Sequence, residues 1–217
     1  MTVSQRRVES DLPKDALASI QVGTVGYKYR GVLCQKSPFD LALYARLLFE
    51  AEVRSVVEIG TAAGGSALWF ADLLRTYGRS PHVLSMDRMA EPVVSDPDIT
   101  FLRGDACSPG DVLTPERLAA LPRPWLWVED SAHTFDVSLA VLDFAHDKLA
   151  PGEYIVVEDG IVNDLPADQY RRRENGPNRA VLDFLDRHPE QYEIDLNFCD
   201  YFGHNFTWNP NGWLRRL

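Results

Sequence analysis

Two apolar runs, Trp125-Leu126-Trp127-Val128 and Tyr154-Ile155-Val156-Val157, each end in acid. The first leads into Glu129-Asp130-Ser131-Ala132-His133 and the second into Glu158-Asp159-Gly160, with a helix-like stretch between them. Strand, helix and strand in that order form a parallel pair, because a parallel connection needs a crossover. In such a pair Asp130, Glu158 and Asp159 meet at the carboxyl edge of the sheet. Open α/β sheets bind their ligands at that edge. Carboxylates gathered in one place repel each other unless a cation lies between them, and oxygen-only ligands favour Mg²⁺ over zinc.

The same alternation runs through most of the chain. Periodicity and turn signals predict helices over residues 38–50, 66–77, 115–121, 137–149 and 178–188, with a short one near 16–20. They predict strands over 55–59, 83–87, 99–103, 125–130 and 154–158. Strands over 192–198 and 213–217 follow each other without a helix, which makes an antiparallel hairpin. The expected fold is therefore α/β: a doubly wound, mostly parallel seven-stranded sheet with an antiparallel C-terminal hairpin. Residues 1–35 read as an N-terminal arm and 36–217 as the domain. The irregular stretch from Gly160 to Pro177 follows the acidic pair directly, so it is expected to lie over the site.

The first predicted strand runs into Glu58-Ile59-Gly60-Thr61-Ala62-Ala63-Gly64-Gly65-Ser66. Glycines there let the backbone turn tightly and approach a ligand. A dinucleotide fingerprint needs glycine where Ala62 stands, and Glu58 would repel a pyrophosphate. That carboxylate suits an ammonium, which S-adenosylmethionine has. Asp87 ends the next strand, where an acid suits ribose hydroxyls. Asp105 and Ala106 follow the third strand and would edge an adenine. The expected cofactor residues are thus Glu58, Gly60, Thr61, Gly64, Ser66, Asp87, Asp105 and Ala106. His133 lies three residues after Asp130, one helical turn away. Histidine titrates near neutrality, so it suits a general base. His133 and Asp130 are the expected catalytic pair. The run Arg171-Arg172-Arg173 reads as a solvated loop.

Composition narrows the partners. The 217 residues carry 22 Lys and Arg against 32 Asp and Glu, a net charge of −10. Binding to nucleic acid is not expected, because phosphate contacts need clustered basic residues. No apolar run reaches the length of a membrane span, and export is not expected from the polar stretch Met1 to Asp11. Cys34, Cys107 and Cys199 read as free thiols in a reducing cytoplasm. The final hairpin and the N-terminal arm are expected subunit contacts of a homo-oligomer.

Several motifs together resemble the cephalosporin hydroxylase/rhamnosyl O-methyltransferase family. They are Lys36-Ser37-Pro38-Phe39-Asp40, Glu58-Ile59-Gly60-Thr61, Gly64-Gly65-Ser66-Ala67-Leu68, Asp130-Ser131-Ala132-His133 and Val157-Glu158-Asp159. The ending Phe206-Thr207-Trp208-Asn209-Pro210-Asn211-Gly212-Trp213-Leu214-Arg215-Arg216 belongs with them. The resemblance spans roughly residues 27–217. More distantly the site is similar to catechol O-methyltransferase and to the Mg²⁺-dependent sugar O-methyltransferases of macrolide biosynthesis.

The resemblance implies a class I methyltransferase fold with S-adenosylmethionine and Mg²⁺. It implies that Asp130, Glu158 and Asp159 hold the metal and that His133 stands where the sugar enzymes have their base. Glu58, Gly60, Ser66 and Asp87 would hold the cofactor. The expected activity is O-methylation of a small hydroxylated molecule, a sugar or vicinal diol in bacterial secondary metabolism. Alternatives are a catechol-type phenol methyltransferase and a cofactor-binding accessory subunit of a two-component system. A nicotinamide-dependent oxidoreductase is disfavoured by Ala62 and Glu58.

Overall fold

A computed structural model describes residues 6–89, 91–165 and 173–217. Its centre is a seven-stranded sheet. The strands are β3 (Ser55–Ile59), β4 (His82–Asp87), β5 (Ile99–Arg103), β6 (Trp125–Glu129), β7 (Tyr154–Val157), β8 (Tyr192–Ile194) and β9 (Trp213–Arg216). Their spatial order is β5-β4-β3-β6-β7-β9-β8. The five from β5 to β7 are parallel, and β9 pairs antiparallel with both β7 and β8. Every residue of β3, β6 and β7 is buried, as expected for parallel strands covered on both faces.

Strand parity divides the core in two. Val56, Val128 and Val156 pack on one face against α2 (Pro38–Glu50) and α3 (Gly65–Thr76). Val57, Trp127 and Ile155 pack on the other, against α5 (Phe135–His146) and α6 (Gly176–Arg187). A short α4 (Pro115–Ala119) covers the same second face through Leu118. The parity matters for chemistry. Glu58, Asp130 and Glu158 continue the series of Val56, Val128 and Val156, so they belong to the face that α2 covers.

Most expected bounds match the structure or differ from it by one to three residues, and the larger differences have local reasons. The first helix, α1 (Lys14–Gly26), is longer than the turn expected near 16–20. Leu17 anchors it among Leu12, Ile161, Val162, Leu165 and Trp208, so tertiary packing outweighs its two glycines. A two-stranded hairpin, β1 (Lys28–Tyr29) and β2 (Val32–Leu33), was not expected. The strand expected over 192–198 stops at Ile194. There the Asp195 side chain accepts from Asn197 N at 2.9 Å and starts the short α7 (Leu196–Cys199). The stretch after Gly160 begins with a single 3-10 turn, Gly160–Asn163. Residues 166–172 lie outside the described residues, and with them Arg171, Arg172 and the middle of the expected cover.

No helix among the described residues is long and apolar enough to cross a membrane. The three cysteines are free; Cys34 and Cys199 are buried and Cys107 is exposed.

Candidate active site

The parallel ladder continues past the strand ends and aligns the acids. Asp130 N donates to Ile59 O at 2.8 Å, and Glu158 N donates to Glu129 O at 2.9 Å. Gly60 N donates to Met86 O at 2.8 Å. These bonds hold the Gly60 loop, the Asp130 loop and the Glu158-Asp159 turn side by side at the carboxyl edge. A cavity of about 440 Å³ opens there. Its walls include Gly60, Asp87, Asp105, Ala106, Asp130, His133 and Asp159.

Asp130, His133 and Asp159 each present a ligand atom, and these atoms lie within 4.8 Å of one another. His133 Nε2 stands 3.3 Å from Asp159 Oδ2 and 3.9 Å from Asp130 Oδ1. The expected helical turn between Asp130 and His133 does not exist, because α5 starts only at Phe135. A left-handed backbone at His133, φ +54°, brings its ring back instead. Asp159 is left-handed as well, φ +60°. Such conformations cost energy in residues with a β-carbon and gather at functional sites.

Buried Glu129 fixes the loop that carries both groups. Its Oε1 accepts from Ser131 N at 3.1 Å and also from Ser131 Oγ. Its Oε2 accepts from Ser138 Oγ at 2.8 Å, which ties the loop to α5. On the other side Asn209 Oδ1 accepts from Asp159 N at 3.1 Å. Arg173 donates to the Ala132 carbonyl at 2.5 Å, which ties this member of the arginine run to the loop that carries His133.

Glu158 is placed differently from its two neighbours. Lys36 Nζ donates to Glu158 Oε2 at 2.7 Å and to Asp130 Oδ2 at 2.5 Å. Tyr44 OH donates to Glu158 Oε1 at 2.6 Å. Both oxygens of Glu158 are therefore engaged, and its side chain is only 5% exposed against 31% for Asp159. Of the three expected metal ligands, Asp130 and Asp159 line the cavity. Burial, followed by the nearby Asp130 charge, pushes Glu158 well above the usual carboxylate range. Burial would lower the Lys36 ammonium, but Asp130 and Glu158 outweigh it and hold the group well above its ordinary value.

The eight expected cofactor residues fall into two sets. Gly60, Asp87, Asp105 and Ala106 line the cavity. Glu58, Thr61, Gly64 and Ser66 stand behind its wall. Glu58 is fully buried, and its Oε2 accepts from Ser85 Oγ at 2.5 Å. Burial pushes Glu58 up to about 6, and the cation that opposes this shift is Lys36. Thr61 shares a 2.7 Å hydrogen bond with Ser85 Oγ, and its backbone N–H donates to Asp87 Oδ2 at 3.1 Å. Asp87 also accepts from Ala62 N and Met89 N, at 3.2 and 2.8 Å. The carboxylate thus braces the glycine loop while bordering the cavity.

Sequence reasoning assigned no role to Lys36, Tyr44 or Glu129. A signal for the first two was available in strand parity. Glu58, Asp130 and Glu158 all fall on the face beneath the helix that begins at Pro38, and Lys36 is a cation at its foot. Glu129 carried no such signal, since its partners lie on a loop and a helix whose start was expected two residues later.

The family description "Rhamnosyl O-methyltransferase/CmcI" matches residues 23–217. A rhamnosyl O-methyltransferase of Mycobacterium leprae (strain TN) is 33% identical over 192 residues, covering 87% of this chain and 82% of the relative. One of Mycobacterium tuberculosis (strain ATCC 25618 / H37Rv) is 32% identical over 193 residues, covering 87% and 77%. Among solved structures, "cmcI-D160 Mg-SAM" superposes with a TM-score of 0.69 at 26% identity, covering 100% of this chain and 89% of that one. Its class I methyltransferase architecture is the one seen here.

Proposed function

Because this chain belongs to the rhamnosyl O-methyltransferase/CmcI family of O-methyltransferases, we propose that it methylates a sugar or other vicinal diol. The methyl donor is S-adenosylmethionine, and the reaction depends on Mg²⁺. The observation that carries this reading is the convergence of Asp130, His133 and Asp159 on one cavity that Gly60 and Asp87 also line. The donor set fits a hard cation: two open carboxylates face the cavity, and their oxygens lie within reach of one ion. The cofactor fits too, since a carboxylate ends β4 and a glycine turn ends β3, the positions that take ribose and a close-lying ligand in open α/β sheets.

Asp130 and Asp159 would hold the cation. Glu158 would join them only by exchanging Lys36. The bound cation supplies a Lewis acid and a template for two neighbouring acceptor oxygens. The chain's own groups do the rest. Asp87, Asp105 and the Gly60 loop would hold the nucleoside of the methyl donor in the cavity that the acids also line. His133 takes the acceptor hydroxyl proton at Nε2, the nitrogen turned toward Asp130 and Asp159. The oxygen bonds to the methyl carbon, the carbon–sulfur bond breaks, and its electron pair stays on sulfur. This in-line geometry needs the reacting oxygen about 3 Å from the methyl.

Calorimetric titration tests the reading. S-adenosylmethionine and, separately, NAD⁺ are added to metal-stripped protein, with and without Mg²⁺ and a vicinal diol. We expect binding of S-adenosylmethionine alone, and diol binding that requires Mg²⁺. Absence of S-adenosylmethionine binding under every condition would discard the proposal.

A further inference from the structure

The acids at the carboxyl edge are more numerous than one divalent cation can balance. Glu58, Asp130, Glu158 and Asp159 crowd one corner, and all four interact electrostatically with Lys36. Lys36 is 2% exposed, and its ammonium contacts both Asp130 and Glu158. It cannot swing to water, because the chain on both sides is pinned. Cys34 N donates to Tyr27 O at 3.0 Å. Ser37 caps α2 by accepting from Asp40 N at 3.1 Å. Asp40 is in turn bonded to Trp208 N at 3.0 Å. The same helix delivers Tyr44 to the far oxygen of Glu158.

We infer that Lys36 is a built-in cation, a positioning residue that holds Asp130 and Glu158 together before any divalent ion arrives. This rests on the reading of the Asp130–Asp159 corner as a cation site. Lys36 takes one oxygen of Asp130, Oδ2, and leaves Oδ1 turned toward His133. It also occupies the inner carboxylate, Glu158. The site is then half neutralised from within and half open to the cavity. A protein built this way folds without metal, and the ammonium and one divalent ion together balance Asp130, Glu158 and Asp159. Breaking a buried ion pair by removing one partner leaves an uncompensated charge, which is strongly destabilising. The divalent ion and the ammonium share Asp130, and Glu158 becomes free to bind the ion once Lys36 is gone, so the ion should partly substitute for a missing Lys36.

Thermal unfolding of three proteins tests this: the unaltered chain, Lys36→Met and Lys36→Met with Glu158→Gln. Methionine keeps the stem length and loses the charge. In chelator, K36M should lose on the order of 10 °C in Tm. Excess Mg²⁺ should restore K36M by more than it raises the unaltered protein. Adding E158Q should recover stability in chelator, because the stranded carboxylate is gone. A K36M protein as stable in chelator as the unaltered one overturns the inference. So does a K36M protein that neither Mg²⁺ nor E158Q improves, since lost packing alone would then explain it. Calorimetry of Mg²⁺ on the unaltered protein reads the cation site separately. Absence of heat there, with K36M still destabilised and still relieved by E158Q, overturns the cation site and upholds the pairing of Lys36 with the two acids.

Discussion

Gly60 and Asp130 touch through their backbones: a β-carbon on Gly60 would stand 1.8 Å from the Asp130 carbonyl oxygen. Gly60 also has φ +112°, a region that favours glycine. The glycine loop and the acid loop are therefore one rigid unit. Gly60→Ala must push the Asp130 loop away or distort its own backbone. We expect a stability loss of about 3 kcal/mol or more, with loss of S-adenosylmethionine binding in whatever remains folded. Urea unfolding and calorimetry would check both. A G60A protein with unchanged cofactor affinity would show that the two loops are not coupled.

Asp130→Asn keeps the shape of the side chain and removes its charge. Groups that merely orient metal ligands cost about 10–100-fold when changed, so turnover in the presence of Mg²⁺ should fall by about 100-fold or more. S-adenosylmethionine binding should remain within a few-fold. Full activity of D130N would remove Asp130 from the cation site.

His133→Ala should lower turnover by about 10²–10⁴-fold, the usual contribution of a general base. Affinity for S-adenosylmethionine should hold. An unchanged rate at saturating acceptor would leave His133 as a structural group whose left-handed backbone serves the loop alone.

Asp40 provides a pH-dependent signature of stability. Burial pushes its carboxyl up to about 6, against hydrogen bonds from Ser37, Thr207 and Trp208. The folded state therefore binds a proton that the unfolded chain releases near pH 4. The stability contributed by that proton is fully present below about pH 4 and is lost as pH rises through about 6. Its size is about 3 kcal/mol. Asp40→Asn does not titrate, so the stability of the unaltered protein relative to D40N should fall between pH 4 and 6. Parallel urea midpoints for the two proteins across that interval would contradict the assignment.

Thr24 lies on α1 at the wall of the cavity, and its hydroxyl is buried without a hydrogen-bond partner among the described residues. Val25 borders the cavity beside it. Helix α1 thus contributes Gln21, Thr24 and Val25 to the lining of the cavity that the acids also line. Thr24→Val keeps the shape and should raise the acceptor KM about tenfold, the cost of one lost hydrogen bond, with cofactor affinity unchanged. An acceptor KM that does not move would place the acceptor elsewhere.

The sequence by itself determined the succession of the seven sheet strands and of the main helices between them. Apolar runs such as Trp125-Leu126-Trp127-Val128 cannot stay exposed, and their alternation with amphipathic helices leaves a parallel sheet as the outcome. The bounds of β3 and β5 were legible to the residue. It also marked Asp130, His133 and Asp159, because acids ending buried strands stand out against apolar neighbours. Tertiary structure alone decided which of those groups are free. Glu158 and Asp159 are adjacent in the chain, yet one is engaged by Lys36 and Tyr44 while the other faces the cavity. Likewise Glu58 and Ser66 carry the residue types of a ligand loop and stand behind its wall. Composition and local periodicity report what each residue can do, but a buried charge takes whichever partner the packing of distant segments brings to it. Here the foot of α2 brings Lys36 to acids 94 and 122 positions away.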